Sequence, residues 1–498
     1  MMNNYFFEML PAEEMKQLAY LPTIPEFLDW IQEKWADRPA LNDLGSRYSY
    51  SQMCDRIARR RAWLDSQGLK KGDRVAVWDR NSIDAVENFL AVTSGGMTVI
   101  MLPTALPAPA VAGCCAKFRT SAIIVRDEFS GLVPQVGCKV LPANGMASSP
   151  APSVKVDKDE PAAIFFTGGT TGAPKGAVLP HRALMRGAFN GIFAPGSQLF
   201  GHRTIGFLPL SHVFGLIKGT LSILYTGGEW YAAEDMKASV GKIPVIRPTT
   251  LTLVPGLCEI ILGLAGMYGE QFLGGNLKTI IAGAASVPPR IIRQMKKLGI
   301  ECFPGYGMTE GANLSTGNAD IGTRPDSVGK AYPEQEIKTV DGELWIRGDN
   351  VFLGYYNDPE STAGVLTEDG WLRTGDLGRI DEDGFIYITG RIKNLIILPN
   401  GENVSPESIE EPFYKCDALK DCLVREVDKN GGKVIGIEIL PNPAAFEGKS
   451  AEETENFFKT LVDEVNLTLP ATHRIQDVVI RKEDFKRTGS MKVARNQN

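Results

Sequence analysis

Histidine is scarce in this sequence, with four in 498 residues. The eight cysteines, at positions 54, 114, 115, 138, 258, 302, 416 and 422, form no C-x-x-C pair and no zinc-ligand spacing with those histidines. A structural metal and a disulfide framework are not expected, and the thiols read as buried or incidental. Also lacking is any run near the roughly 20 apolar residues of a membrane-spanning helix. The start, "MMNNYFFEMLPAEEMK", has no basic stretch followed by an apolar one, so no secretory leader is expected and the chain reads as cytoplasmic. Basic excess is missing as well: the formal net charge is −6 and the pI is near 5.6. Binding to nucleic acid needs a basic face, so a nucleic-acid partner is not expected.

What is present is a globular composition, 43% hydrophobic and 22% charged, on a chain too long for one core. Short apolar runs alternate with helical patterns through the first three quarters. "RVAVWD" (74–79), "MTVIML" (97–102), "AAIFFT" (162–167), "TIGFLPL" (204–210), "TLTLVP" (250–255) and "KTIIAGAA" (278–285) read as strands. Segments such as "SIDAVENFLAVTSGG" and "PRIIRQMKKLG" read as the helices between them, which implies parallel sheets covered on both faces. "PANGMASSPAPS" at 142–153 reads as a surface loop. Near 342 the texture changes to antiparallel strands, "GELWIRGD" and "GFIYITG". After "GRIKN" at 390–394 a smaller α+β unit follows, with a hairpin in "CLVREVDKNGGKVIGIEIL", a helix in "ETENFFKTLVDEVNLTL" and a last strand, "DVVIRK". The boundary expected from this pattern divides the chain into 1–391 and 392–498.

One stretch, "FFTGGTTGAPKGA" at 165–177, carries glycines, threonines and a lysine directly after an apolar run. Glycines let backbone N–H groups converge on an anion, and threonine hydroxyls and Lys175 add donors, as a polyphosphate requires. It is not a Walker A loop, because Pro174 precedes Lys175 and Gly176 follows it. Alone, the stretch is equally well a polar turn leaving a strand.

Its companions are "LPLSHVFG" (208–215), "GAA" (283–285), "GYGMTEG" (305–311), "WLRTGDLGRIDEDGFIYITGRIKNLI" (371–396), "GENVSPESIEE" (401–411) and "RTGSMKVAR" (487–495). With these motifs in this order the sequence resembles the adenylate-forming enzymes, the AMP-dependent acyl-CoA synthetase and ligase family that includes luciferases and the adenylation domains of nonribosomal peptide synthetases. The resemblance begins at "KKGDRVAVW" (70–78) and spans nearly the whole chain. It implies an α/β fold: a large N-terminal domain of stacked α/β subdomains with a distorted β-barrel, plus a small mobile C-terminal α+β domain.

The chemistry implied is activation of a carboxylic acid by ATP with Mg²⁺, through acyl-AMP with release of pyrophosphate, and transfer of the acyl group to the thiol of CoA. Thr167, Gly169, Thr170, Thr171, Gly172 and Lys175 match the family loop on the β- and γ-phosphates; Gly168 stands where a serine is usual. By the same resemblance Gly283 and Ala284 should line the adenine site, Tyr306 should stack on adenine beside Gly307, and Thr309 should bond the α-phosphate. Glu310 should hold the magnesium ion, Asp376 should take the ribose hydroxyls, and Arg391 should reach ribose or α-phosphate. Gly401 matches the glycine beside the pantetheine tunnel. Lys393 falls at the family hinge, although a surface lysine at a junction looks the same. Asp383 reads as a turn residue. Lys492 matches the mobile catalytic lysine, with Thr488 and Arg495 in register and with Lys486 and Met491 replacing the usual proline and glycine.

For the acid, residues 204–228 contain no Asp or Glu, and Phe214 stands where amino-acid-activating domains carry an aspartate. A buried unpaired ammonium there is costly, so a fatty or other apolar acid is expected over an amino acid. His212 matches an aromatic position that gates the acid pocket, and is otherwise a structural histidine. CoA is the expected acceptor. No carrier segment follows Arg495 in the sequence, and a stand-alone enzyme that loads the phosphopantetheine of a separate carrier protein nevertheless remains an alternative. A non-catalytic nucleotide-binding homologue and a kinase-like phosphotransferase are the readings from other classes. The kinase-like reading lacks the Walker spacing and kinase signatures. A monomer or a homodimer is compatible with all of this.

Lys492→Ala is expected to lower acid-dependent pyrophosphate exchange by about 100-fold or more, the scale of one lost transition-state donor, while sparing thioester formation from supplied acyl-adenylate. Equal loss of both half-reactions counts against Lys492 as the adenylation lysine.

Overall fold

Runs such as Val75, Val77, Val99, Ile100, Ile123 and Ile124 are buried, as strands covered on both faces require. The computed structural model describes residues 12–133, 136–167, 175–193, 199–318, 321–398, 401–429, 432–487 and 493–495. These strands lie in a seven-stranded sheet. Its spatial order is Gly354–Tyr355, Lys175–Pro180, Pro161–Thr167, Thr98–Met101, Arg74–Trp78, Ala122–Val125 and Lys139–Pro142. The last five run parallel, Lys175–Pro180 pairs antiparallel to Pro161–Thr167, and Gly354–Tyr355 pairs antiparallel to Lys175–Pro180. A five-stranded sheet follows the same plan. Thr250–Leu253, Thr279–Ala282 and Glu301–Met308 are parallel; Asn313–Gly317 and Lys330–Ala331 then add antiparallel.

Helices begin where side chains can satisfy their first N–H groups. Ser82 accepts from the Ala85 N–H at 3.0 Å to start Ile83–Ser94, and Ser450 with Glu453 forms a capping box on Ala451–Thr468. Pro289 opens Pro289–Lys297, which ends on Lys296 and Lys297, basic residues that suit a helix C-terminus. The hairpin Leu419–Lys429 with Gly432–Pro441, and the strand Ile475–Ile480 beside it, carry a separate core around Val424, Ile437, Phe458 and Val462. That unit meets the rest of the chain where Arg290 donates to the Lys420 carbonyl at 3.1 Å and Arg293 pairs with Asp417 at 2.6 Å.

Two expectations need correction. The run at 204–210 is strand only over Arg203–Ile205. The Gly206 N–H still donates to the Tyr231 carbonyl at 2.9 Å, but the Phe207 N–H turns back onto the Ile205 carbonyl at 2.9 Å and Pro209 has no N–H to offer a ladder, so the chain leaves the sheet. The expected distorted barrel is not closed among the described residues. Gln335–Val340, Glu343–Gly348, Leu372–Ile380 and Ile386–Arg391 form an open four-stranded antiparallel sheet whose edge strands do not pair.

The His181–Asn190 helix joins the two large sheets. A Cβ on Gly187 would lie 2.1 Å from the Ala312 carbonyl oxygen and 3.1 Å from the Ile217 Cγ2, so the helix backbone touches the turn after Glu310 directly. Gly187→Ala is expected to destabilise the fold by about 1–3 kcal/mol through overpacking, read as a lower urea midpoint. An unchanged midpoint would show that this contact yields without cost.

Candidate active site

Parallel strands in α/β sheets place ligands beyond their carboxyl ends, at points where the strand direction changes. Here the strand Glu301–Met308 reaches such an end. It turns through Thr309–Gly311 and returns antiparallel as Asn313–Gly317, with a bulge between Tyr306 and Gly307. The turn is tight because a Cβ on Gly307 would lie 1.7 Å from the Asn313 carbonyl oxygen, so only glycine fits. Three non-glycine residues with positive φ lie on this rim: Ala284 at 65°, Ala312 at 48° and Asn313 at 98°. Strain of this kind persists where the surrounding structure enforces it, commonly at ligand sites.

Two clusters form there. In the first, the buried Asp376 carboxylate accepts from the Tyr306 hydroxyl at 2.8 Å and from the Arg391 guanidinium. Asp376 and Arg391 are opposed residues of adjacent strands, so the pairing register sets this contact. Thr374 Oγ1 accepts from the Asp376 N–H at 3.0 Å and donates to the Leu344 carbonyl at 2.6 Å, which fixes the backbone under the carboxylate. Burial, and then the charge of Asp376, push the Tyr306 phenol far above its ordinary range. Burial opposes the charge on Arg391, but the hydrogen bond and charge of Asp376 outweigh it and raise the guanidinium. Lys393 lies within the same field. Burial and then Arg391 push its ammonium down, while Asp376 and Glu310 pull it up.

The second cluster is built across sheets. The segment after Asn350 hydrogen-bonds to the turn, Phe352 N–H donating to the Glu310 carbonyl at 2.9 Å. It then pairs Tyr355 with Ala177. Tyr355 therefore stands between both elements: its hydroxyl donates to Glu310 Oε1 at 2.7 Å, and its ring lies 5.0 Å from the Lys175 ammonium. Lys175 also donates to Ser361 Oγ at 2.6 Å. Thr167 is opposite Lys175 across the hairpin. Gly169, Thr170, Thr171 and Gly172 lie outside the described residues, as does Lys492.

Gly283 follows the strand Thr279–Ala282, and a Cβ on it would lie 3.0 Å from Phe214 Cζ. Phe214 opens a π-helix, Phe214–Leu221. Half-buried His212 stands just before it, its carbonyl accepting from the Leu216 N–H at 3.0 Å. The Thr309 carbonyl accepts from the Ala312 N–H at 3.1 Å. Gly401 occupies an exposed turn with φ 82°, which glycine adopts freely, and no contact among the described residues joins it to either cluster. Tyr355, Ser361 and Thr374 are not among the residues expected from sequence. Of these, Thr374 lies inside the quoted motif at 371–396, two residues before Asp376, whereas Tyr355 and Ser361 lie in none of the motifs.

Comparison with known proteins agrees with this geometry. The AMP-binding enzyme model matches residues 28–356, and the AMP-binding enzyme C-terminal domain model matches residues 393–498. The chain belongs to the AMP-binding enzyme family. Among the relatives of this AMP-binding enzyme is 3-[(3aS,4S,7aS)-7a-methyl-1,5-dioxo-octahydro-1H-inden-4-yl]propanoyl:CoA ligase of Rhodococcus jostii (strain RHA1), 28% identical, covering 84% of this chain and 89% of that protein. Feruloyl-CoA synthase of Amycolatopsis sp is also 28% identical, covering 80% of this chain and 84% of that protein. Among solved structures, ATP-bound MatB from Rhodopseudomonas palustris superposes with a TM-score of 0.81 at 25% identity, covering 95% of this chain and 98% of that one. Anthranilate CoA ligase AuaEII in complex with anthranoyl-AMP shares the fold with a TM-score of 0.83 at 19% identity, covering 97% of each chain.

Asp376→Asn keeps the shape and removes the charge that Arg391 pairs with. It is expected to lower the unfolding free energy by about 1–3 kcal/mol and to weaken ATP binding by about tenfold or more, measured by calorimetry. An unchanged ATP affinity would leave the Asp376 cluster a purely structural one.

Proposed function

We propose that this AMP-binding enzyme is an ATP-dependent, AMP-forming acyl-CoA synthetase that activates a carboxylic acid with an apolar body. The observation that carries this reading is Tyr355. Through it the lysine of the glycine-rich hairpin and the Glu310 carboxylate meet at one place, at the carboxyl end of the strand that also presents Tyr306 to Asp376.

The donor set fits ATP with magnesium. Among the described residues no group of three or more His, Cys, Asp or Glu could hold a metal by itself. Magnesium keeps several waters and needs only one or two carboxylates beside phosphate oxygens, which Glu310 supplies. When bound, the ion neutralises charge on the phosphates. Asp376, held by Tyr306 and Arg391, has the acceptors for two ribose hydroxyls. Lys175 brings a mobile positive charge to the β- and γ-phosphates, and Thr309 stands beside Glu310 for the α-phosphate.

A carboxylate is a poor acylating agent because its charge repels nucleophiles and oxide is a bad leaving group. Attack of the acid oxygen on the α-phosphorus of ATP forms the acyl-phosphate bond and breaks the bond to pyrophosphate, giving acyl-AMP. Attack by the thiol of CoA then breaks the acyl–AMP bond, with loss of the thiol proton. Fixed cations stabilise the charge built up in both steps. Lys492 takes the carboxylate and α-phosphate in the first step. It must then withdraw to admit the thiol, and Lys393 is the hinge we assign to that movement. The relatives named as CoA ligases or a CoA synthase support CoA as the acceptor. Phe214 against Gly283, in a stretch without Asp or Glu, supports an acid without an amine.

The test is product analysis with purified protein, ATP and magnesium across a panel of acids, with and without CoA. Stoichiometric AMP, pyrophosphate and acyl-CoA are expected, with thioester appearing only when CoA is present. ADP as product would instead indicate phosphotransfer, and no acid-dependent turnover would reduce the chain to a nucleotide-binding homologue.

A further inference from the structure

Beyond Phe214 the structure carries polar groups that the function above does not use. Lys218 follows Phe214 by four residues, about one turn of a π-helix, and therefore continues the same side of it. It is 5% exposed, in a stretch otherwise apolar. Its ammonium donates to the Gly191 carbonyl at the end of the His181–Asn190 helix, a favourable place for a cation. That bond uses one of three N–H donors. Among the described residues Lys218 forms no ion pair, and burial alone pushes its ammonium down to about 8.

Two asparagines on the neighbouring elements are also unsatisfied. Asn190 is 0% exposed and Asn313 is 3% exposed, and in each case both amide atoms lack a hydrogen-bond partner. Their placement follows from contacts already described. Gly187 touches the Ala312 carbonyl and Ile217, while Gly191 touches Ser222 and the Lys218 Cδ. Asn190 is three residues after Gly187, about 60° round the helix from it on the side away from Gly191, and so faces the Asn313–Gly317 strand. Asn313 opens that strand with φ 98°. Helix and strand thus each bring an unpaired amide, and the π-helix a buried ammonium with no ion pair among the described residues, to the region where the three elements pack on one another.

Unsatisfied buried amides and an unneutralised buried ammonium are costly, and native proteins satisfy such groups with water or ligand. Phe214 lies between this region and Gly283, where the nucleotide-facing rim begins. We propose that Lys218, Asn190 and Asn313 form the far end of the acid pocket and receive an oxygen acceptor, a carboxylate or a ketone, carried by the acid at the end remote from the reacting carboxylate. This rests on the acyl-CoA synthetase reading and sharpens its substrate class: an apolar body past Phe214 with a hydrogen-bond-accepting tip. The ammonium supplies charge to a carboxylate or a donor to a ketone, and the asparagines, with donor and acceptor on each amide, complete either arrangement.

The experiment measures AMP release with ATP and CoA for acids of matched length whose far end is methyl, ketone or carboxylate. With the wild-type protein, at least one acceptor-ended acid is expected to exceed its methyl-ended match by tenfold or more in kcat/KM. Lys218→Met, similar in length and uncharged, is expected to reduce that ratio at least tenfold through the KM for the acid and not the KM for ATP. Asn190→Leu, in ordinary helical backbone, gives the same readout without removing the bond to Gly191. The ketone and carboxylate arms tell the two tips apart. A wild-type preference for methyl-ended acids, or an unchanged ratio in both folded variants, overturns the proposal while leaving the ligase reading intact. If Lys218→Met does not fold, the wild-type ratio and Asn190→Leu decide. Release of AMP with none of the acids removes both readings together.

Discussion

A buried carboxylate has to be paired, and in this protein that requirement falls on Asp376. Its two partners come from different sheets: Tyr306 from the five-stranded sheet, and Arg391 from the neighbouring strand of the open antiparallel sheet. Satisfying one charge therefore fixes how the two sheets approach each other. It also fixes where the chain goes next, because Arg391 is the last residue of its strand and the short turn Ile392–Asn394 leads directly to the smaller unit.

The rim around Asp376 is set by backbone as much as by side chains. Gly307 lies against Asn313, Gly187 against Ala312, and Gly283 against Phe214. These are approaches that a Cβ would block or crowd. The positive φ values at Ala284, Ala312 and Asn313 occur at the same approaches. The rim is thus held by packing on several sides at once, which is how conformations costing about 1–3 kcal/mol each persist.

Much of this was open to sequence reading for a local reason. Glu310, Tyr306, Asp376 and Arg391 sit in short local motifs that resemble those of the adenylate-forming enzymes, and that resemblance marks the positions; their contacts, Tyr306 with Asp376 and Glu310 with Tyr355, join residues 70 and 45 positions apart and come from the fold. The parallel strands are legible because apolar β-branched runs read the same wherever they fall. Tyr355 is different. Its place between Lys175 and Glu310 depends on a two-residue strand pairing with residues about 180 positions away, and nothing in "GYYN" encodes that register. Asn190 is hidden for a related reason, since an asparagine before a glycine reads as a turn until burial is known, and Asn313 likewise reads as a turn residue after the motif that precedes it. Within 204–210 the expectation of a full strand followed the apolar pattern, which does not register the turn of Phe207 back onto Ile205 or the missing N–H of Pro209.

The electrostatics at the strand end bear on movement of the smaller unit. Arg391 and Lys393 stand two residues apart, both partly withdrawn from water, and Arg391 pushes the Lys393 ammonium down. Asp376 and Glu310 only partly offset this. On the function proposed above, the negative charge that ATP brings to Glu310 and Asp376 would relieve the repulsion between these two cations, and its departure as pyrophosphate would restore it. The turn Ile392–Asn394 carries Lys393 and leads into the smaller unit, so that change of charge would act on the segment connecting the two parts of the chain.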